Sequence, residues 1–441
     1  MATLDTSAIA FQLKRVYGNK ITDLFNRQPM TYNLFSKSNR KAQVKPAGAG
    51  YFFSVRQGAI ESVGGRAEGT FLPEPITGDG VQGTISPKLL YGVLRLSGLA
   101  IEAGKGNLGA FVDAQGDAVM DTYKALISDL NRQCHGDGYG LLGTLSTTSD
   151  TLSTSTTWTV TMDNDRGTRY VRKGMIVDFF ESTAFDQSSV ASRVFSVNPS
   201  TRVVTMEANA STYKAKHPLV AAQSYTVSAA TIASGAEMVR YGSRAAVHAT
   251  TNASYELTGL NGMFDDGTLL AAFEGITVST DAEWKANILG NSDVNRELTT
   301  DLMLSAIDTS AARSDSDVGM IRLGLGQRRK YFGLLEPDVR YAPGQYKGGY
   351  EKLTFSQNGA IEMVVDPYTQ PNRMYFEPND AIKKYELTPI GWGGFDPNRM
   401  HWRQDYDEGT MYLRTYANLG VEKRTALTLL DDLTEPTSAP W

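Results

Sequence analysis

The chain has little of what disulfide, metal and redox chemistry require. Its 441 residues include one cysteine, Cys134, and four histidines. A single cysteine excludes an intrachain disulfide, so the fold does not depend on an oxidising compartment. No two histidines stand at the spacing of zinc ligands. We therefore expect neither a metal nor a cofactor.

The usual sequence signatures of catalysis are also missing. No P-loop, H-E-x-x-H, C-x-x-C or Ser-His-Asp arrangement can be found. Residues 104–109 match G-x-G-x-x-G, but the helix that follows leads into a glycine-rich linker and not into a parallel strand, which favours a turn and helix cap. Asp163 begins a calcium-loop-like segment in which Gly174 replaces the required glutamate, so we predict a hairpin turn. These absences indicate a protein that is not an enzyme.

Long apolar runs are absent as well. A membrane helix requires roughly 18 consecutive apolar residues. The longest candidate, residues 89–103, is interrupted by Arg95 and Glu102. No basic residue precedes Lys14, so we expect no signal peptide and predict synthesis in a cytoplasm without membrane association.

Charge is unevenly distributed along the chain. The formal net charge is 43 − 48 = −5, which is too small to indicate a nucleic-acid-binding protein by itself. Residues 1–46 carry eight basic and two acidic side chains, a net +6, which leaves −11 for the remainder. A basic arm on an acidic body is typical of contact with an acidic partner, either another copy or nucleic acid. A solvated helix face is the alternative.

The N-terminal third is predicted to contain a helix, a long hairpin and a second helix. Residues 6–28 repeat apolar side chains every three or four positions, which predicts an amphipathic helix. Strands are predicted over residues 51–56 and 83–96. The stretch between them is too rich in glycine and proline to form a core, which indicates an extended hairpin reaching away from the body. Residues 107–134 form the strongest predicted helix, about 38 Å long.

Residues 141–240 differ in composition from the rest of the chain. Thirty of these hundred residues are Ser or Thr, and eleven of them lie in the segment 144–157, which we interpret as a flexible connector. Short strand patterns alternate with turn residues, and this predicts a separate small β-barrel or sandwich. The last two strands should pair as a hairpin. The predicted strands cover residues 158–162, 175–180, 194–197 and 202–207.

After residue 241 the pattern becomes mixed α/β. Asn358-Gly359 predicts a tight hairpin, and residues 327–330 form a compact basic run that is either a solvated helix face or an interface with an acidic neighbour. Helices are predicted over residues 296–312 and 327–335. Strands are predicted over residues 318–323, 352–356, 360–366 and 374–376 and within 412–430.

Three segments carry a resemblance to a known family. They are residues 94–101 running into the predicted helix 107–134, residues 358–367 with 372–376, and residues 416–430. Together with the order of elements, they resemble the major capsid protein of tailed bacteriophages, the Hong Kong 97-type fold. The resemblance implies an α+β fold with an inserted small β-barrel or sandwich domain. The implied parts are an N-terminal arm (1–46), an extended loop (47–86), a peripheral domain with a long spine helix (87–140), the inserted β domain (141–240), an axial domain (241–390) and returning C-terminal strands (391–441).

The resemblance also implies a function and partners. Such a protein assembles with itself into hexamers and pentamers of an icosahedral shell inside the bacterial host, and the shell becomes part of the virion. The shell encloses double-stranded DNA, which it contacts non-specifically, and it has no catalytic site. A portal and a decoration protein are further candidate partners. About 46 residues precede the loop, too few for a fused scaffolding domain, so we expect a separate scaffolding protein and no removal of the N-terminus.

Charged residues on these parts are candidates for contacts between subunits. No lysine lies within residues 47–86, so we expect no covalent cross-link from the loop tip. Two other classes stay open: a tail or portal component, and a carbohydrate-acting surface protein, which the 21 tyrosines and the Ser/Thr-rich module suggest. The missing signal sequence and the unburied loop argue against the last class. The ten candidate contact residues are Lys14, Arg15, Lys20, Arg56, Arg66, Glu68, Glu74, Arg328, Arg329 and Lys330.

Overall fold

A computed structural model describes most of the chain between residues 30 and 436. The predicted helix 6–28, the G-x-G-x-x-G segment and the Ser/Thr-rich residues 150–156 lie outside the described residues. The described ranges are 30–45, 48–58, 63–71, 73–74, 78–99, 114–149, 157–163, 167–181, 184–185, 192–207, 232–244, 254–335, 354–356, 360–393, 401–402 and 407–436.

Helices and strands alternate irregularly along these residues. The helices are α1 (Met30–Leu34), α2 (Ala114–Cys134), α3 (Leu260–Met263), α4 (Thr300–Ser314) and α5 (Leu325–Leu335), followed by a 3₁₀ turn at Arg424–Ala426. The strands are β1 (Ser36–Lys37), β2 (Gln43–Lys45), β3 (Gly48–Arg56), β4 (Gly80–Ile85), β5 (Lys88–Ser97), β6 (Leu141–Thr144), β7 (Thr157–Thr161), β8 (Ile176–Glu181), β9 (Ala184–Phe185), β10 (Ser192–Asn198), β11 (Val203–Glu207), β12 (Glu237–Arg240), β13 (Ala272–Phe273), β14 (Ile276–Thr277), β15 (Asn287–Leu289), β16 (Met320–Leu323), β17 (Thr354–Ser356), β18 (Ala360–Val365), β19 (Met374–Glu377), β20 (Ile382–Trp392), β21 (His401–Trp402), β22 (Glu408–Val421) and β23 (Thr428–Leu430).

Two predicted hairpins are confirmed. β10 and β11 pair antiparallel, and the turn between them is closed by the Asn198 side chain, which accepts the backbone N–H of Ser200 at 3.1 Å. β17 and β18 also pair antiparallel, on either side of the predicted Asn-Gly turn, which lies outside the described residues. Both signals are local, because alternating apolar residues and turn formers lie within one short segment.

Three predictions about local structure, two on element boundaries and one on a turn, are wrong. The segment 83–96, predicted as a single strand, forms two strands. β4 ends before Ser86-Pro87 and β5 begins after it, and the two strands belong to different sheets. The helix predicted from Arg296 begins at Thr300, because the Arg296 N–H donates to Asp432 O at 2.7 Å and Thr299 caps the helix. The Asp163 segment is not a hairpin turn, because β7 pairs with β11 and not with the next strand, β8.

A five-stranded sheet and the long helix α2 form one layered unit. The strand order is β1-β20-β22-β21, and β5 pairs with β22 on the other side, from Lys88↔Ala417 to Ser97↔Glu408. Alternate residues of β5 face α2, where Leu94 and Leu96 pack with Ala118. A Cβ on Gly92 would lie 3.3 Å from Thr122 Cγ2, so glycine allows the helix to approach the strand closely there.

Seven strands from residues 141–240 form a second sheet, in the order β6-β12-β8-β10-β11-β7 with β9 beside β8. Its two edges meet, since Leu145 and Met162 form an antiparallel bridge. The resulting barrel has a buried core that includes Trp158, Phe179 and Met206, and Tyr368 from outside the barrel packs into it. The first and last strands, β6 and β12, pair antiparallel.

Two further sheets complete the body. A six-stranded sheet has the order β15-β23-β19-β16-β18-β17 and packs against α4. β2, β3 and β4 form a three-stranded sheet that contains the base of the predicted extended hairpin. The largest buried cluster joins α1, this hairpin base, the end of α2 and residues 257–288 into one core. The expected boundary between axial domain and C-terminal strands, residue 390, falls inside β20.

Candidate self-association surfaces

The extended hairpin is anchored at its base by aromatic side chains. β3 and β4 pair in register from Tyr51↔Ile85 to Arg56↔Gly80. Tyr51 and Phe53 are buried, and their rings lie 5.1 Å from Tyr385 and 5.9 Å from Trp284. A Cβ on Gly83 would lie 2.2 Å from the Phe53 ring, so this position requires glycine. The base of the hairpin is therefore fixed to the body.

The outer part of the hairpin has the opposite character. Residues 63–71 are all exposed, and two of them are large apolar side chains: Val63 is 84% exposed and Phe71 is 94% exposed. The chain holds these side chains in water although their burial would be favourable by roughly 1.5–3 kcal/mol each. An exposed apolar tip on a rigid base is typical of a contact with another molecule.

Two of the four predicted contact residues of the hairpin, Arg66 and Glu68, lie in this exposed segment, and Arg56 and Glu74 lie on either side of it. Arg56, Arg66, Glu68 and Glu74 are all exposed, and Arg66 donates to the neighbouring Gly65 carbonyl at 3.2 Å. No ion pair joins these four side chains to the described part of the body. They stay candidates for contacts with another subunit.

The three predicted contact residues of the N-terminal arm, Lys14, Arg15 and Lys20, lie outside the described residues. The described part of the arm is anchored to the body, because Thr31 and Tyr32 of α1 are buried. The Tyr32 hydroxyl donates to Glu386 Oε1 at 2.8 Å, and the Arg322 guanidinium lies 4.6 Å from the Phe35 ring centre. The segment from α1 to Phe35 is therefore held beside α2 and the five-stranded sheet.

The three basic residues on α5 do not behave alike. Arg329 is exposed and Arg328 is half-buried. Lys330 pairs with Glu297 of its own chain at 2.7 Å. Only part of this run is therefore directed toward solvent. Among the described residues, no contact joins the run to the hairpin or to α1.

Sequence reasoning missed a second exposed apolar surface, on the outer face of β5 and β22. Leu89, Tyr91 and Val93 are exposed on β5. Their partners in the register are Tyr416, Arg414 and Tyr412 of β22. The Tyr91 and Tyr416 rings lie 6.0 Å apart, edge to face. The alternation of residues 89–93 could have indicated this face, but the contribution of β22 depends on pairing across more than 300 residues. We call these six residues the sheet platform.

A buried cluster of Thr31, His135 and Asp366 joins α1, the end of α2 and the six-stranded sheet. His135 Nε2 lies 3.2 Å from Thr31 Oγ1 and 3.3 Å from Asp366 Oδ2. Burial raises the pKa of Asp366, but the contacts with His135 and Thr31 outweigh it and the pKa is lowered. Both contacts use the same ring nitrogen and the cluster is buried, so it lacks the geometry of a catalytic triad and serves as a structural junction.

Other buried charges are also paired within the fold. Arg132 contacts Glu256 at 2.6 Å and Asp129 at 3.0 Å, and Arg322 contacts Glu377 at 2.7 Å. Burial raises the pKa of Glu256 and Glu377, although the arginines oppose it. Removal of one partner from such a pair leaves an uncompensated buried charge. These pairs connect elements of the body and do not form an open reaction centre.

The described residues contain no group of three or more His, Cys, Asp or Glu side chains arranged to hold a metal ion. The side chain of Asp265 accepts the backbone N–H groups of Gly267 and Leu270, each at 2.9 Å, so it serves a turn of the backbone. Over the same part of the chain, no helix has the length and apolarity needed to cross a membrane.

A solved capsid subunit shares this fold over nearly the whole length of the chain. The chain is similar to a subunit in the cyanophage A-1(L) capsid asymmetric unit, with a TM-score of 0.56 and 12% identity, covering 98% of this chain and 100% of that one. The capsid of the native GTA particle is more distant, at a TM-score of 0.49 and 7% identity over 98% and 100% of the two chains. The SrpI encapsulin of Synechococcus elongatus PCC 7942 is also more distant, at 0.40 and 7% over 100% of both.

No family model and no curated protein matches the sequence. The class is therefore defined by the fold: a mixed α and β chain with the architecture of a phage capsid subunit. The resemblance to tailed-phage capsid proteins is confirmed at the level of the fold.

Proposed function

We propose that this chain is the major capsid protein of a tailed bacteriophage, which assembles with itself into the hexamers and pentamers of an icosahedral shell around double-stranded DNA. The observation that carries the proposal is the extended hairpin, whose base is buried in the core while its tip exposes Val63 and Phe71. A single chain gains nothing from such a tip, whereas a symmetric assembly supplies every tip with the same receiving surface.

The sheet platform is the surface that we propose receives the hairpin of a neighbouring subunit. It exposes the apolar side chains of Leu89, Tyr91 and Val93, and it lies on the face of β5 and β22 opposite α2. Arg414 within it would face the acidic side chains of the hairpin, Glu68 and Glu74, when two copies meet. Apolar area at the centre with charges at the rim is the usual anatomy of a protein interface.

We propose the following organisation on the same grounds. α2 is the spine helix and belongs, with β5, β20 and β22, to the peripheral domain. Because β20 pairs with β22, we place the end of the axial domain before Ile382 and not at residue 390. Residues 241–381 form the axial domain that surrounds the symmetry axes. The barrel of residues 141–240 is an inserted domain, since its terminal strands β6 and β12 are neighbours.

The proposed partners follow from the assembly. They are other copies of the chain, a separate scaffolding protein, a portal and a decoration protein, and assembly takes place in the bacterial host cytoplasm. Packaged DNA would touch the shell without sequence specificity. The net −11 outside residues 1–46 favours weak contact, because few phosphates would be neutralised. We propose no catalytic role.

Sedimentation and electron microscopy of the purified full-length chain test the proposal. Closed shells are the expected result; tubes or rings would indicate a tail or portal component, and a small oligomer would reject assembly altogether. Phe71→Ser should reduce shell yield strongly, because it removes the most exposed apolar side chain of the tip. Phe195→Ser, on the exposed surface of the barrel, is the matched control and should assemble normally.

A further inference from the structure

A two-residue turn of unusual conformation lies against the base of the extended hairpin. Glu274 and Gly275 connect β13 to β14, with φ angles of 53° and 81°. Positive φ at both positions is the geometry of a tight hairpin turn, in which glycine or asparagine is the usual choice. A glutamate with positive φ is uncommon, and its contacts indicate why it is there.

Glu274 contacts two separate strands with two different groups. Its backbone carbonyl accepts the N–H of Thr84 in β4 at 2.7 Å. Its side-chain Oε1 accepts the N–H of Val421 at the end of β22 at 2.9 Å. A Cβ on Gly420 would lie 2.8 Å from this oxygen and 2.4 Å from Ile85, so glycine is needed for the close approach. One residue thus joins the hairpin to the five-stranded sheet.

The second carboxyl oxygen of Glu274 is placed differently. Oε2 is buried and has no hydrogen-bond partner among the described residues. A charged carboxylate is unfavourable in such a position, and burial raises the pKa of Glu274 well above its ordinary value, although the Val421 N–H and Arg424 oppose the shift.

A cavity of about 340 Å³, large enough for several waters, is lined in part by Glu274. Its lining also includes Thr84, Lys88 and Asn418. Six other titratable groups belong to the elements packed around Glu274: Lys88, Asp137, Tyr139, Tyr385, Glu422 and Arg424.

We propose that Glu274 is a proton-linked joint that controls how firmly the extended hairpin is held to the body. In its neutral form the carboxyl group stays in the apolar contact between β4 and β22 and keeps both N–H bonds. When Oε2 gives its proton to solvent, the carboxylate draws water in from the cavity, and the turn loosens its hold on Thr84 and Val421. Higher pH therefore frees the hairpin base, and lower pH fixes it.

The direction of the pH dependence follows from the linkage between protonation of Glu274 and opening of the joint. A carboxyl whose pKa is higher in the closed joint than in the open one stabilises the closed joint most at low pH, and this contribution is lost between the ordinary pKa of 4.5 and the raised one. Within that window, the opening equilibrium should increase by up to about tenfold per pH unit.

Hydrogen exchange of the full-length chain tests the joint. Exchange rates are measured for peptides containing Thr84 and Val421 across pH 5–9 and corrected for the intrinsic pH dependence of amide exchange. Protection at both amides should fall with rising pH in the native chain. Glu274→Gln keeps the Oε1 acceptor but cannot ionise, so its corrected protection should be independent of pH.

Three results would overturn the proposal. The first is equal pH dependence in the native chain and in Glu274→Gln. The second is a fall in protection that is uniform over the whole chain, which would indicate general destabilisation. The third is unchanged protection of Val421 in Glu274→Ala, because this variant removes the Oε1 acceptor of the Val421 N–H. Because the readout is local to one subunit, these results do not depend on whether the chain forms shells.

Discussion

The extended hairpin can be shortened at a position that the structure defines. Gln57 and Gly58 both donate their backbone N–H groups to Asp79 O, at 3.0 and 3.1 Å, just beyond the last β3–β4 pair. Replacing residues 59–78 with Asn-Gly would therefore close the two strands with a tight turn and leave the aromatic base intact. We expect this variant to fold as the native chain does and to form no shells.

Shortening the hairpin should have opposite effects on the stability of the single chain and on assembly. Shortening the connection from roughly twenty residues to two lowers the entropy loss of loop closure by about 2 kcal/mol. Residues 63–71 are exposed, so their removal loses no packing in the isolated chain. In an assembly, loss of Val63 and Phe71 removes about 3–6 kcal/mol of apolar burial per subunit, and this loss is repeated in every copy.

Thermal unfolding and negative-stain electron microscopy measure the two effects separately. The shortened chain should unfold at the native temperature or a few degrees above it, and it should not form the shells that we expect of the native chain. Phe71→Ser within the full-length hairpin should also fold normally and should assemble with reduced yield. Closed shells from the shortened chain, or a marked drop in its unfolding temperature, would refute the reasoning.

Three further predictions concern the body. Arg424 is fully buried, and its guanidinium donates to the carbonyls of Met263 and Gly262 at 3.0 and 3.1 Å, so Arg424→Met should lower the free energy of unfolding by about 3–5 kcal/mol. Arg40→Met, at the exposed pair with Glu422, should lower it by about 1 kcal/mol or less. Equal effects of the two variants in thermal or denaturant unfolding would contradict the structural role of Arg424. Burial lowers the pKa of Lys88 to about 8 from 10.5. Because the unfolded chain then binds the proton more tightly, the native chain should gain stability relative to Lys88→Met between pH 8 and 10.5, by up to about 1.4 kcal/mol per pH unit; a stability difference that is constant over this range would rule it out. Residues 141–240 expressed alone should give a dispersed amide NMR spectrum, because every buried residue of the barrel core except Tyr368 lies within this range. A collapsed spectrum would show that the barrel needs the body.

Local patterns predicted much of the fold. The β10–β11 hairpin and the β17–β18 pair follow from turn residues and alternation within a few positions. The wrong predictions concern segments whose structure depends on a partner that lies far away in the sequence. Arg296 has helical spacing but forms a bridge with Leu433, and Ser86-Pro87 separates two strands whose sheets could not be predicted from the strand pattern itself.

The candidate site was predictable to a similar extent. Glycine and proline in the hairpin indicated a segment that buries nothing, and Val63 and Phe71 are indeed exposed. The sheet platform was missed, because its two strands lie far apart in sequence and only their register brings Tyr91 beside Tyr416. Glu274 was missed for the same reason, since its two partners are Thr84 and Val421.

The antiparallel pairing of β6 with β12 places the two ends of the barrel side by side, with Thr144 opposite Glu237. A polypeptide of any size could be exchanged between these two positions without changing the path of the chain before or after them. The chain could therefore gain, lose or replace this domain in one genetic step, while α2 and the five-stranded sheet keep their geometry. For engineering, the same two positions form a natural site for grafting foreign domains onto the subunit, and the β10–β11 turn is a second site for short peptides.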